Sequence, residues 1–413
     1  MTIALRVARL GAEADGVCPA EGDHPTIYVP YALDGELVEV SEAGKRGDAL
    51  IGQIERILEP SPHRVEPVCQ HFGICGGCAM QHTDDGGLGW KAGQVASALK
   101  AVAPDVLSDA FSTWQSPPAV RRRIDFGLRR SGKTVRVGLH RARSAEIVDI
   151  QHCPVIDPSL MELIAALRIV LPTLALLKRE GSAVANMTEN GIDLLLRTDR
   201  LPSVEDRTLL AAFAHQHGLA RISWAEGERG RSEVLCQLRD PVITFSGHSI
   251  TAPPGAFLQA SRAAEDAIMA AIEAGLPKKR RKIVELFAGI GTFTLRLKPG
   301  MAYEGDEAAV AAVKRAGFGQ ITRRDLFRQP LQAAELRGVD VVILDPPHAG
   351  AAAQCATLAQ AKVPRIIYVS CNPHALRRDA TLLAGAGYRL VSASVIDQFL
   401  WSTQIETVAV FSL

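Results

Sequence analysis

The sequence has no run of about 18 uncharged apolar residues, so nothing in it reads as a membrane-spanning helix. Its first residues, MTIALRVARLGAEADG, carry acids and lack the pattern of a cleavable signal. A soluble, cytoplasmic protein with no membrane contact is therefore expected. Nor does either charge dominate, because 46 Lys and Arg stand against 45 Asp and Glu for a net charge of +1. That balance argues neither for nor against nucleic acid, and any such contact must rest on local patches. What the chain does have is 413 residues, enough for two or three domains, and eight cysteines. In a cytosolic chain these point to metal or catalysis rather than to a disulfide framework.

Residues 1–60 alternate apolar and polar positions in LRVARL, TIYVPYA, ELVEVSEAG and ALIGQIERIL, which predicts a small OB-like β-barrel. The turn at 15–16 followed by VPYALDGELVEV (29–40) resembles the TRAM module found on RNA-modifying enzymes. A region at 61–250 mixes helical and strand-like segments and predicts an α+β domain. It opens on Cys69, Cys75 and Cys78 in a C-x5-C-x2-C spacing, with Gly76 and Gly77 permitting the tight turn. A fourth ligand is needed for zinc or for an iron–sulfur cluster, and Cys153 in QHCPV is the best candidate. The asymmetric spacing and the proline after Cys153 favour a [4Fe-4S] cluster, with zinc as the alternative.

Two basic runs follow. RRRIDFGLRR (121–130) puts five arginines on an expected hairpin, either a solvated edge or a strip that contacts phosphates. PKKRRK (277–282) reads as a solvated linker.

From residue 251 the pattern becomes α/β, a Rossmann-like domain with a sheet of six or seven strands. VELFAGIGTF (284–293) supplies a glycine loop after a buried strand, and Glu304 ends the next strand, where it can take two ribose hydroxyls. The loop lacks the strict G-x-G-x-x-G phosphate cradle, so a cofactor without a pyrophosphate fits better, S-adenosylmethionine being the common one. ILDPPHAG (343–350) places Asp345 on a rigid loop at another strand end. No aromatic follows the prolines, which counts against methylation of an exocyclic amine. RIIYVSCNP (365–373) then sets Cys371 at a strand's carboxyl end and before a helix N-terminus that favours a thiolate. Position alone leaves a nucleophile and a buried structural thiol both open.

Read with the closing TQIETVAVF (403–411), these motifs resemble the RNA uridine C5-methyltransferase family, class I, along essentially the whole chain. The upstream cysteines resemble its cluster-bearing 23S rRNA branch. The resemblance implies that Cys371 is the nucleophile, that Glu406 is the base, and that Gln259, Phe287, Thr292, Glu304, Asp325 and Asp345 serve the cofactor. It also implies Cys69, Cys75, Cys78 and Cys153 as cluster ligands, 23S rRNA as the target with tRNA second, and a monomer. This sequence departs from the family pattern at Thr292, His348 and Gln404, which stand where asparagine, arginine and histidine are frequent. None of these removes a reacting atom. A second expectation, from another class, is an RNA-binding assembly factor with an inert methyltransferase domain; a redox or zinc-dependent module is a third.

The chemistry suits the residues. Uracil C5 is a poor carbon nucleophile, so a thiolate must first add to C6, and a base must later remove the C5 proton.

Overall fold

The computed structural model describes residues 2–22, 24–105, 111–279 and 282–413. Among them no helix is long and apolar enough to cross a membrane.

The N-terminal part is a curled six-stranded sheet whose edges are Thr2–Arg6 and Arg9–Leu10. The stretch LRVARL, expected as one strand, is divided because Val7 and Ala8 turn to bond Glu36 and Val17. The long hairpin Leu37–Arg46 and Ala49–Glu59 carries bulges that bend it. Its inward side chains close with Val29, Ala32 and Cys18 over a small apolar core.

The middle of the chain forms a seven-stranded sheet running from Ile147–Asp149 at one edge to Glu233–Gln237 at the other. The helices Pro158–Val170 and Val204–Gln216 both contribute side chains to one core beneath it. Asp157 and Ser203 cap these helices, the second through a capping box with Asp206.

The C-terminal sheet has eight strands rather than six or seven. In order they are Ile321–Arg323, Met301–Glu304, Ile283–Leu286, Val341–Leu344, Arg365–Ser370, Glu406–Ser412, Arg389–Asp397 and Ser112–Gln115. The additional strand comes from the middle of the sequence and pairs in parallel with Arg389–Asp397. Helix Leu88–Leu99 joins it, packing Val95 and Leu99 into the core that holds Leu376 and Leu383 of helix Pro373–Gly385. A boundary at residue 61 puts both elements in the middle domain, whereas they pack on the C-terminal one; the short sequence FSTWQS (111–116) gives no sign of this. On the opposite face Ile268, Met269 and Ile272 of helix Arg262–Gly275 bury against Ile367, Val369 and Val410.

Candidate active site

Five neighbouring strands each deliver one singled-out residue to the same edge of the C-terminal sheet. Glu304 ends its strand, Phe287 and Asp345 follow theirs by one residue, and Cys371 does the same after Ser370. Glu406 begins the antiparallel strand beside it. Because Ser370 pairs with Thr407, Cys371 and Glu406 stand one step further along the same ladder, facing each other across two strands. The apolar run IIYV packs Ile366 and Tyr368 into the core on one face and Ile367 and Val369 into the core on the other. This is the carboxyl edge, at the point where connections leave Ile283–Leu286 to either side, and such crevices bind ligands in open α/β sheets.

The edge is acidic and dry. Burial pushes Asp345 up to about 7. Glu406 is buried, and burial followed by the charge of Asp345 holds it well above the ordinary carboxylate range, against a lowering hydrogen bond from Gln398. Burial, then the charges of Glu406 and Asp345, push the Cys371 thiol up to about 12. Burial first, and the two acids second, thus oppose the thiolate that the helix N-terminus favours, and Asn372 Oδ1 caps that helix by accepting the His374 N–H.

On the cofactor side, Phe287 adopts a left-handed φ of 62° and packs on Phe327 with ring centroids 5.6 Å apart. Gly289, at φ 55°, has open space where a Cβ would point, which allows a ligand to approach the backbone. Glu304 accepts the Gly289 N–H at 2.8 Å and the Asp306 N–H at 2.7 Å, so its carboxylate is already oriented. Asp325 stands at the sheet's next strand, its Oδ1 accepting the N–H groups of Phe327 and Arg328. Thr292 is half-buried in the turn that follows the glycines. Beneath them lies Glu285, which the sequence reading did not single out. It is buried, Thr294 donates to its Oε2 at 2.7 Å, and its Oε1 has no partner. Burial raises it to about 8.

Gln259 reaches the site from the 252–260 loop. Three buried side chains fasten that loop by its carbonyls: Arg221 bonds Ala252, Asn186 bonds Ala256, and Arg122 Nε bonds Gln259 itself at 3.2 Å. Arg122 also ion-pairs with Glu265 at 2.5 Å. Of the arginines in RRRIDFGLRR, which the sequence offered as a solvated edge or a phosphate strip, Arg122 is thus committed inside the protein. Arg121 and Arg123 lie over the rings of Phe399 and Phe257, Arg129 pairs with Glu180, and Arg130 bonds the carbonyls of Leu171, Pro172, Leu174 and Leu177. The periodicity of a charged hairpin cannot reveal that its partners are carbonyls and acids far along the chain. In the second basic run, Arg280 and Arg281 lie outside the described residues.

Cys69, Cys75, Cys78 and Cys153 line one cavity of about 40 Å³, together with Leu400. Burial raises Cys75, Cys153 and Cys78, the last to about 12, and the neighbouring thiols add to each shift. Three desolvated thiols with the sulfur of Cys69 beside them are a donor set that suits a multivalent cationic centre. Among the described residues, no three His, Cys, Asp or Glu are gathered closely enough to hold a single metal ion.

The cysteine loop also touches the segment that leads into Glu406. Ala79 and Met80 donate their N–H groups to the Trp401 carbonyl at 2.8 and 2.9 Å, and Trp401 holds a left-handed φ of 61°. Lys91, fully buried, places Nζ 2.5 Å from Asp397 and 3.0 Å from the Phe399 carbonyl. Sequence reasoning missed Lys91 and Asp397, although an acid closing the apolar run VSASVI is a signal.

Residues 322–412 match the family described as tRNA (Uracil-5-)-methyltransferase. The chain is 37% identical to an uncharacterized RNA methyltransferase of Rhizobium meliloti over 98% of both chains. It is 33% identical to the 23S rRNA (uracil(1939)-C(5))-methyltransferase of Aeromonas salmonicida, covering 96% of this chain and 94% of that one. Its fold is similar to that of the Pyrococcus abyssi tRNA (uracil-54, C5)-methyltransferase, solved in complex with S-adenosyl-L-homocysteine, with a TM-score of 0.72 over 99% of both chains at 19% identity.

Proposed function

This chain belongs to the RNA (uracil-C5)-methyltransferase family and is an S-adenosylmethionine-dependent enzyme, and we propose that it acts through a covalent bond between Cys371 and uracil C6. The observation that carries this reading is the pairing of Cys371 with Glu406 across adjacent strands at the ligand-binding edge. S-adenosylmethionine, when bound along that edge, supplies an electrophilic methyl group and a positive charge beside the acids. Glu304 would hold its ribose hydroxyls, Phe287 its adenine, and Asp345 and Gln259 its reactive end, with Thr292 and Asp325 shaping the rim.

The chain's own residues then act in sequence. Cys371 gives its proton to solvent and its Sγ adds to C6, sending the C5–C6 π electrons to C5, which would bond the methyl group as the methyl–sulfur pair stays with the departing thioether. Glu406 next removes the C5 proton. The electrons of that C–H bond restore the C5–C6 double bond, and the pair of the C6–S bond returns to Cys371. A carboxylate with raised affinity for a proton suits this task. The target base must be flipped out or lie in a loop to reach the edge.

Several features support 23S rRNA as the target: the activity named for the Aeromonas relative, and the four thiols, which we assign to a [4Fe-4S] cluster held by Cys69, Cys75, Cys78 and Cys153. Mass mapping of rRNA and tRNA from cells lacking the gene tests the target, and a 5-methyluridine lost from tRNA alone would overturn it.

The mechanism is tested by two variants that fail at different steps. Cys371→Ala is expected to give neither methylation nor a protein–RNA adduct. Glu406→Ala is expected to accumulate a methylated adduct on denaturing gels, with release slowed about 10²–10⁴-fold. Methylation by Cys371→Ala, or an adduct on Cys355 or Cys236, would exclude the mechanism.

A further inference from the structure

Between the loop that carries Gln259 and the strand that carries Glu406 lies one buried amide. Gln398 sits one residue past the strand Arg389–Asp397 and is 3% exposed; Gln259 and Glu406 are each 4% exposed. Its Oε1 accepts the Ala260 N–H at 2.9 Å. Its Nε2 donates to Gln259 Oε1 at 2.7 Å and to Glu406 Oε2 at 2.8 Å. The orientation is forced: turning the amide over would set its oxygen against two other oxygens and its nitrogen against a backbone N–H. Both amide hydrogens are thus committed. Glu406 keeps one oxygen engaged, while its Oε1 is buried with no partner. Leaving a buried acceptor unsatisfied is costly, so it persists where something else is to fill it.

Resting on the assignment of Glu406 as base, we infer that Gln398 is the positioning residue for proton removal: it holds Glu406 Oε2 so that Oε1 alone is presented to the C5 proton, and it couples the base to Gln259. By taking the Gln259 oxygen it also leaves that side chain's amide nitrogen as the group free to donate into the site. Glutamine suits the role because it does not titrate, so the bridge survives the protonation of Glu406 in each turnover. Asp345 faces Glu406 from the strand two places away, Cys371 faces it from the adjacent one, and Glu285 lies deeper. Behind the bridge, Arg122 pairs with Glu265, and Lys91 pairs with Asp397. Among these groups Gln398 alone hydrogen-bonds the base carboxylate. The donor favours the ionised base, so its loss moves base ionisation to higher pH.

The test uses the full-length enzyme, methyl-labelled cofactor and total RNA from cells lacking the gene. The readout is the rate at which the labelled covalent adduct forms and then decays across pH. In Gln398→Met and the near-isosteric Gln398→Glu, adduct formation, which depends only on the Gln259 contact, is expected to fall less than decay, which depends on the held base. Decay should be slowed at least about 10-fold, with its alkaline-rising limb moved to higher pH. S-adenosyl-L-homocysteine binding and thermal melting report on folding. If adduct formation and decay fall together with no movement of the limb, or if decay is unchanged in the variant that folds, the positioning role is overturned. Glu406→Gln separates this from the underlying mechanism. Accumulated adduct in Glu406→Gln with wild-type decay in both Gln398 variants overturns the positioning role alone, whereas wild-type decay in Glu406→Gln overturns the base assignment.

Discussion

At the scale of single residues, the proposed nucleophile is held in check. The Cys371 thiol faces Glu406 and Asp345, and it can attack only after its proton has left a site where negative charge is already resisted. Below its raised value, near 12, the thiolate fraction grows tenfold for each pH unit, and removing a neighbouring negative charge lowers that value. Alkylation of Cys371 in the cofactor-free enzyme is therefore expected to be slow at pH 7 and to rise through pH 9. Asp345→Asn should accelerate it by up to about tenfold at fixed pH. Peptide mapping of the alkylated thiol gives the rate, and an unchanged rate in Asp345→Asn would leave burial and the charge of Glu406 as the causes. Cys371, Glu406, Glu304 and Asp345 were legible in the sequence because each ends or begins an apolar run, and a strand's end fixes where its last residue points. Glu285 and Gln398 were not legible. Their meaning comes from partners 9, 8 and 139 residues away, and no local pattern encodes such pairings.

Among the elements, the arginine hairpin shows how the same side chains serve different ends. Arg122 sits just before the strand Arg123–Ser131, where, among the described residues, its buried side chain bonds Glu265 and the Gln259 carbonyl. Removing one member of a buried pair leaves the other charge uncompensated, at a cost of about 3–5 kcal/mol. Arg122→Ala is therefore expected to lower thermal stability strongly and to weaken S-adenosyl-L-homocysteine binding through the loosened 252–260 loop. Arg129→Ala, which removes an exposed pair with Glu180, should change stability by less than about 1 kcal/mol. Denaturant melts and calorimetric titration of both variants check this, and equal effects would return all five arginines to the surface. The strands of the last domain were readable for the opposite reason. IVEL, VVIL and IIYV are short, apolar and β-branched because both faces of a parallel sheet are covered.

For the whole molecule, the cysteine cavity ties distant segments together. Cys153 comes some 75 residues after Cys78, and the loop between them is fastened to Trp401 beside the base. Protein purified without oxygen is expected to contain iron and sulfide in near-equal amounts. Cys153→Ser should lose both and melt at a lower temperature, because metal binding free energy is folding free energy. Zinc at one per chain without sulfide would reverse the assignment. The C-x5-C-x2-C spacing announced this site, while the contact with Trp401 had no sequence signal, since a backbone carbonyl carries no residue signature.

The position of the strand Glu406–Ser412 has a consequence for biosynthesis. It lies inside the sheet, between Arg365–Ser370 and Arg389–Asp397, although it follows both in the sequence. A growing chain that has not yet passed Ser412 leaves a slot there, with two apolar strand edges open to water and Gln398 without its acid. Lys91, emerging 306 residues before Asp397, must wait as long for its counter-charge. Such late, long-range closure is slow and leaves the partial sheet open to mispairing with other chains. Emergence of the strand Glu406–Ser412 therefore sets the moment at which the sheet can close around Glu406, the proposed base, so products terminated before it would lack that acid as well as be prone to aggregate.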